Sequence, residues 1–248
     1  MSLDKIIFLN SLPRAGNTLL GAVLNKNKNI KATPNSITVE IINQLIELKN
    51  NQIFKNFPDH KSLDNVIKCV FNNYYKDWKV KYIIERSNWG TPYNLNLLKQ
   101  IIKKPKFIIL VRPTIECIAS FAKLQIENKI YTKQNIPLYV DQIMDKNYGV
   151  IGKSLWGIEN IINNNEDYKI FYYRDLINDT DNFLKNLGKF IGLKLKKPLT
   201  LNQFSVNNVR YQDKFLIKNL HKIKTNWNYK NNYDIERYLP KEVIKKWM

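Results

Sequence analysis

Apolar and polar positions alternate along this chain on two length scales. Short runs rich in β-branched and aromatic residues occur at Ile6–Asn10, Tyr82–Glu85, Phe107–Val111 and Tyr168–Tyr172, each the length and composition of a buried strand. Between them the apolar residues recur at helical spacing: Ile37, Ile41, Leu45 and Leu48; Ile115, Ile118, Ala119 and Ala122; Phe183, Leu184, Leu187, Phe190 and Ile191. Apolar strands alternating with helices predict a parallel sheet covered on both faces. The expected fold is a three-layer α/β/α sandwich around a central parallel sheet of four to five strands. Thr33 before Pro34, and Thr180, stand where helix N-caps belong, and Gly192 is placed to end the last helix in a left-handed cap.

From Pro198 onward the pattern degrades into aromatic and basic residues without clear strands, which predicts loops and helices laid across the mouth of the sheet. No repeat, Gly/Ser linker or low-complexity block divides the chain. The expectation is a single domain over residues 1–248, with an α/β core at 1–195 and a C-terminal cover at 196–248.

Composition adds limits. The chain has 248 residues, 44% of them hydrophobic, enough for a sizeable core. Lys and Arg total 40 against 21 Asp and Glu, a formal charge of +19. That excess calls for an anionic partner or surface, or is solvated charge alone, and the lysines are scattered rather than gathered. No apolar run approaches the roughly 18 residues of a membrane span, and Ile6–Leu9 is too short for a secretory core, so a cytoplasmic protein without a transmembrane segment is expected. Cys69 and Cys117 lie in helical segments without CxxC spacing, beside only two histidines, too few ligands for a disulfide framework or a zinc site.

The chemistry gathers where strands end. Ile6–Asn10 runs through Ser11-Leu12-Pro13-Arg14-Ala15-Gly16-Asn17-Thr18 into an apolar helical stretch beginning at Leu19. Strand, tight loop and helix place backbone N–H groups and a positive helix terminus toward an anion. Gly16 and Thr18 keep the spacing of the phosphate loop GxxxxGK[ST], but Ser11 replaces its first glycine and Asn17 its lysine. Arg14 is the loop's cation, and a planar guanidinium suits a tetrahedral anion. Farther on, Arg112 follows the strand Phe107–Val111 with Ser120 eight positions later on a helix, and Tyr173-Arg174-Asp175-Leu176 follows the strand Tyr168–Tyr172.

These three segments, in this order, resemble the sulfotransferases that use 3′-phosphoadenosine 5′-phosphosulfate, PAPS. Pro13-Arg14-Ala15-Gly16-Asn17-Thr18 is similar to the family's 5′-phosphosulfate loop, with Ala15 and Asn17 as departures. Arg112 and Ser120 match the Arg and Ser that bind the 3′-phosphate there, and Tyr173 opens a segment like Tyr-Glu-Asp-Leu, with Arg174 in place of the acid. The resemblance implies a P-loop-like sulfotransferase fold and a donor site built from Pro13, Arg14, Ala15, Gly16, Asn17, Thr18, Leu19, Arg112, Ser120 and Tyr173. PAPS would be the donor of a sulfuryl group to a hydroxyl or an amine, and PAP the product, with no metal required. The acceptor stays open among a small alcohol, a glycan, a peptide and a lipid headgroup, and no specific nucleic acid is implied.

For catalysis the candidates are Arg14, Arg86, Glu40 and His221. Arg86 ends the strand beginning at Tyr82, at the position resembling a catalytic lysine of some relatives, and its alternative is an exposed loop arginine. Glu40 lies on the polar face of the helix after the first loop, although the family's glutamate aligns closer to Asn35, and His221 lies in the C-terminal cover. His60 is a weaker candidate, and Trp89 either lines the pocket or covers the core. Two rival functions remain: a P-loop kinase, against which stands the missing lysine, and a basic nucleic-acid-binding protein.

Overall fold

The computed structural model describes residues 3–212, 217–218, 220–223 and 234–248. In chain order they form β1 (Ile6–Ser11), α1 (Asn17–Leu24), β2 (Ile30–Ala32), α2 (Thr38–Glu47), α3 (Gln52–Asn56) and α4 (His60–Tyr74). There follow β3 (Tyr82–Arg86), α5 (Pro92–Ile101), β4 (Lys106–Val111), α6 (Thr114–Glu127), α7 (Ile136–Met144), α8 (Gly152–Asn163) and β5 (Asp167–Tyr172). The chain continues with α9 (Tyr173–Asn178), α10 (Thr180–Ile191), β6 (Ser205–Val206), β7 (Val209–Arg210), α11 (Ile235–Tyr238) and α12 (Lys241–Trp247). Among these residues no helix is long and apolar enough to cross a membrane.

The main sheet has five parallel strands in the order β2-β3-β1-β4-β5, sandwiched between helices as the sequence pattern predicts. Ile6 through Leu9 and Phe107 through Leu110 are buried on both faces, which is why these runs read as continuous apolar stretches. β5 is an edge strand and is only partly covered: Asp167, Lys169 and Tyr172 are exposed, Tyr168 and Ile170 are half-buried, and Phe171 is buried. Phe8 meets Phe71, Trp89 and Phe107 in an aromatic cluster at the centre of the core. The chain leaves central β1 toward β2 and later returns to β4 on its other side. That reversal opens a crevice at the strands' carboxyl ends, the usual ligand position in open α/β sheets.

Several local expectations change. β2, with only three residues, carries no strand pattern in the sequence. The helix after Thr33 and Pro34 opens only at Thr38, because the intervening backbone keeps bonding to β3. Thr33 N–H donates to Ile84 O at 2.9 Å, Ser36 N–H to Arg86 O at 2.7 Å, and Thr33 Oγ1 accepts from Arg86 N at 2.8 Å. The buried face of α2 is accordingly Thr38, Val39 and Ile42, and Ile37 is 54% exposed. Asp179 caps α10 one residue before Thr180, while Gly192 closes it at φ 74° as expected. In the C-terminal cover, β6 and β7 form an antiparallel hairpin turned by Asn207 and Asn208, both at positive φ, a two-residue turn matching strand twist. Leu201, Phe204, Ile223, Leu239 and Val243 anchor the cover in the core.

Candidate active site

Every strand of the main sheet delivers a residue to its carboxyl edge. The loop after β1 carries Pro13, Arg14, Gly16 and Asn17; β2 leads to Asn35; β3 ends in Arg86; Arg112 follows β4 and Tyr173 follows β5. All of these line one cavity of about 320 Å³, together with Thr18, Leu19, Phe121, Tyr211, Leu220, His221 and Lys222 among others. Four of the lining residues, Arg14, Arg86, Arg112 and Lys222, carry fixed positive charge, and none of the described lining residues is Asp or Glu.

The cations are held by main-chain carbonyls, by the Ser120 hydroxyl and, for Arg112, by one carboxylate outside the lining. Arg14 Nε donates to Ser120 Oγ at 3.0 Å and its Nη1 donates to the carbonyl of Leu220. Arg112 Nη1 donates to the carbonyl of Arg14 at 3.1 Å, its Nε pairs with Glu116 at 2.7 Å, and its guanidinium lies 4.6 Å from the centre of the Tyr173 ring. Arg86 Nη1 donates to the carbonyl of Pro34. Burial, helped by the nearby Arg14 charge and opposed by Tyr211, pushes Arg86 down to about 10, so it is still a cation at neutral pH.

Backbone conformation is specialised here. Gly16 sits at φ 93°, and a Cβ on it would come within 2.5 Å of the Tyr173 ring, so only glycine lets the loop lie flat beneath that ring. Arg14 adopts φ 67°, a left-handed conformation unusual for a residue with a side chain. Asn17, in the place of the phosphate-loop lysine, is buried and donates from Nδ2 to the carbonyl of Leu12 at 3.0 Å, which braces the loop from within. Its Oδ1 is buried without a partner.

A strap from the C-terminal cover closes one side. Lys218 N–H donates to Asn128 Oδ1 at 2.9 Å, and Ile223 exchanges two hydrogen bonds with the Gln203 side-chain amide, at 2.8 and 3.2 Å. Between these anchors the Leu220 carbonyl meets Arg14, and the His221 ring stands edge-on to Tyr211 at 5.0 Å, its Nδ1 3.4 Å from the Tyr211 hydroxyl.

Beneath Arg86, Glu85 is fully buried and accepts hydrogen bonds from the Thr38 hydroxyl, from Ser87 Oγ at 2.9 Å and from Trp89 Nε1 at 2.8 Å. Burial raises its pKa, and the hydrogen bonds oppose that rise. Burial likewise pushes the Cys117 thiol up to about 12, which leaves it protonated and unreactive.

Among the described residues, then, the structure brings Pro13, Arg14, Gly16, Asn17, Thr18, Leu19, Arg86, Arg112, Tyr173 and His221 to one cavity. Ser120 touches it through Arg14. Ala15 faces the core with no exposed surface, and its N–H is spent on Leu12 O at 3.2 Å. Glu40 lines a second cavity, also about 320 Å³, which shares Pro13, Asn35, Arg86 and Val150 with the first. Trp89 is a core residue, and His60 opens α4 against Phe54, lining neither cavity.

The sequence model of the sulfotransferase family matches residues 7–197, more than half of the chain. The chain belongs to the sulfotransferase family. Solved structures agree in fold: the sulfotransferase domain from the curacin biosynthetic pathway has TM-score 0.54 at 20% identity, covering 77% of this chain and 75% of that one. A sulfotransferase from Alicyclobacillus acidocaldarius has TM-score 0.53 at 11% identity, covering 78% and 82%. The sulfotransferase domain from the Synechococcus PCC 7002 olefin synthase has TM-score 0.50 at 20% identity, covering 77% and 74%. Comparison with curated protein sequences finds no match. In this sulfotransferase the lining residues that sequence reasoning passes over are Phe121, Val150, Tyr211, Leu220, Lys222 and Ile223. All but Phe121 and Val150 belong to the cover, where no strand end or motif marks them.

Proposed function

We propose that this sulfotransferase uses PAPS and transfers its sulfuryl group to a hydroxyl. The single observation carrying this reading is a cavity with four fixed cations and no described acidic lining residue, at the strand ends where the family motifs converge. Such a site has unbalanced positive charge and favours a ligand with several anionic groups. Phe121, Tyr173 and Tyr211 supply apolar ring surface for an adenine. PAPS when bound supplies an activated sulfuryl group on a good leaving phosphate.

In this reading Arg112 and Ser120 hold the 3′-phosphate. Pro13, Gly16, Asn17, Thr18 and Leu19 shape the loop that receives the 5′ end. Arg14 joins the two, since its backbone belongs to the loop between Pro13 and Gly16 while its side chain reaches Ser120 and its carbonyl is tied to Arg112. Arg86 stands on the wall shared with the second cavity and stabilises charge on the peripheral oxygens during transfer. The acceptor oxygen bonds to sulfur as the sulfur–phosphate bridging bond breaks and its electron pair passes to PAP. Glu40, in the second cavity, takes the hydroxyl proton, and His221 lies on the nucleotide side with Tyr211. Within the expected cover at 196–248, part of which lies outside the described residues, Tyr211, Leu220, His221, Lys222 and Ile223 close over the donor.

A kinase would need carboxylates to hold the magnesium of its nucleotide, and the described lining offers none. Calorimetric titration decides the question. PAP should bind without magnesium and more tightly than ADP, which lacks the 3′-phosphate; binding only of ATP with magnesium would overturn the donor assignment.

A further inference from the structure

The second cavity differs in character from the first, and it indicates what receives the sulfuryl group. Its walls come from the end of β1, the start of α2, the β3–α5 loop and the start of α8. Hydroxyl and amide groups dominate it: Ser11, Ser36, Ser87, Asn88 and Ser154, with Asn10 at the inner wall. Charge is nearly balanced, with Glu40 facing the same space as Arg86 and Lys153. Apolar side chains are confined to Leu9, Pro13 and Val150, and Tyr148, 90% exposed, stands at the rim.

Much of this polar lining is already oriented. Ser87 Oγ donates to Glu85 at 2.9 Å, Ser154 Oγ donates to the carbonyl of Val150 at 2.8 Å, and the main-chain carbonyl of Asn88 accepts from Asn94 Nδ2 at 2.7 Å, fixing the loop that carries the Asn88 side chain. Ser154 and Ser87, with their protons committed, face a ligand as acceptors, while the Asn88 amide, Lys153 and Arg86 supply donors. Asn10 Nδ2 is buried with no acceptor. A flat phenol or other apolar alcohol would leave these groups desolvated and unpaired, which is costly. An anionic acceptor would meet Glu40. A neutral polyol with donors and acceptors on every edge, and a C–H face for the Tyr148 ring, satisfies the set.

We infer that the second cavity is the acceptor subsite and that its acceptor is a sugar hydroxyl of a neutral glycoside. The inference rests on the donor reading, because the shared wall of Pro13, Asn35 and Arg86 presents one sugar hydroxyl toward the 5′ end of the donor.

The test uses the whole chain with PAP added, and saturation-transfer NMR with methyl glycosides of glucose, galactose and N-acetylglucosamine against 2-naphthol and a tyrosine-containing acidic peptide. Glycoside signals are expected. Tyr148→Ala and Lys153→Ala, both at exposed positions, should weaken glycoside binding about tenfold each, the effect of one lost contact. PAP affinity in both variants should stay within about twofold, as expected for sites that do not share its contacts. Contact by naphthol or peptide alone, no contact by any glycoside, or glycoside contact indifferent to both substitutions would overturn the inference. Glycoside contact that responds to the substitutions in a protein that fails to bind PAP would overturn the donor reading instead and leave the sugar site standing.

Discussion

Arg14 and Arg112 are close neighbours with different duties, and single substitutions should separate them. Arg112 is 8% exposed and fixed on three sides by Glu116, the Arg14 carbonyl and the Tyr173 ring. In the proposed complex it makes charge-assisted bonds to a phosphate, each worth about 1.5–3 kcal/mol. Arg112→Ala should therefore raise the Kd for PAP about 10- to 100-fold by calorimetry, and unchanged affinity would remove the 3′-phosphate assignment. Arg14→Ala should abolish measurable transfer in a radiolabelled-sulfate assay, because the side chain that ties the first loop to Ser120 and to the Leu220 carbonyl is lost with its charge; turnover near the parent rate would contradict that role. Gly16→Ala tests the loop itself. The new Cβ meets a φ of 93°, which costs about 1–2 kcal/mol, and the Tyr173 ring at 2.5 Å, so the ring must leave its place over Arg112. Thermal unfolding should shift down by several degrees, and PAP binding should weaken by more than the stability loss explains.

At the scale of elements, the second cavity depends on how β3 is tied to α2. Glu85 joins the two: Thr38 reaches it from the first turn of α2, Ser87 and Trp89 from the loop before α5. Its folded-state pKa is raised by burial, so the protonated form is favoured on folding. The stability this confers is complete below the ordinary glutamate value of about 4.3 and is lost as pH rises through the higher folded value. Glu85→Gln removes that slope. Gln keeps an acceptor for the Trp89 N–H, and its amide N–H₂ can face hydroxyls that rotate to accept. Denaturant unfolding from pH 4 to 8 should show the parent losing stability relative to the variant as pH rises; parallel curves would mean Glu85 titrates normally. The same junction shows where sequence reading succeeds and stops. Arg86, Arg112 and Tyr173 were legible because each follows directly on an apolar strand, and strand ends in a parallel sheet share one edge. The path of residues 33–37 was not, since Thr33 and Pro34 have good helix-start chemistry and are overridden by hydrogen bonds to β3, a long-range pairing with no local trace. Tyr211, Leu220 and Lys222 escaped for the same reason: bonds between distant residues, from Gln203 to Ile223, Asn128 to Lys218 and Arg14 to Leu220, hold the cover against the cavity and leave no local trace.

For the whole molecule, the question left by a charge of +19 is whether the excess acts at the site. Its distribution argues for a double answer. At the amino ends of the strands, opposite the first cavity, Lys5, Lys28, Lys76, Lys79 and Lys81 gather near Trp78, so part of the positive charge faces away from that cavity. At the carboxyl ends the four cavity cations act at close range, where salt screens poorly, while the rest of the molecule contributes a long-range field that is screened over about 8 Å at physiological ionic strength. The two ranges affect different rate constants. Steering by the distant charge governs encounter, and short-range pairing governs release. Stopped-flow fluorescence of PAP binding should therefore show kon falling about tenfold between 0.05 and 0.5 M salt with koff changing by less than about threefold, and adenosine, which carries no phosphate, should show no salt dependence in either. A koff that rises with salt as steeply as kon falls would mean that the cavity cations are open to solvent when the nucleotide is bound, and that the strap residues Leu220, His221 and Lys222 do not cover them.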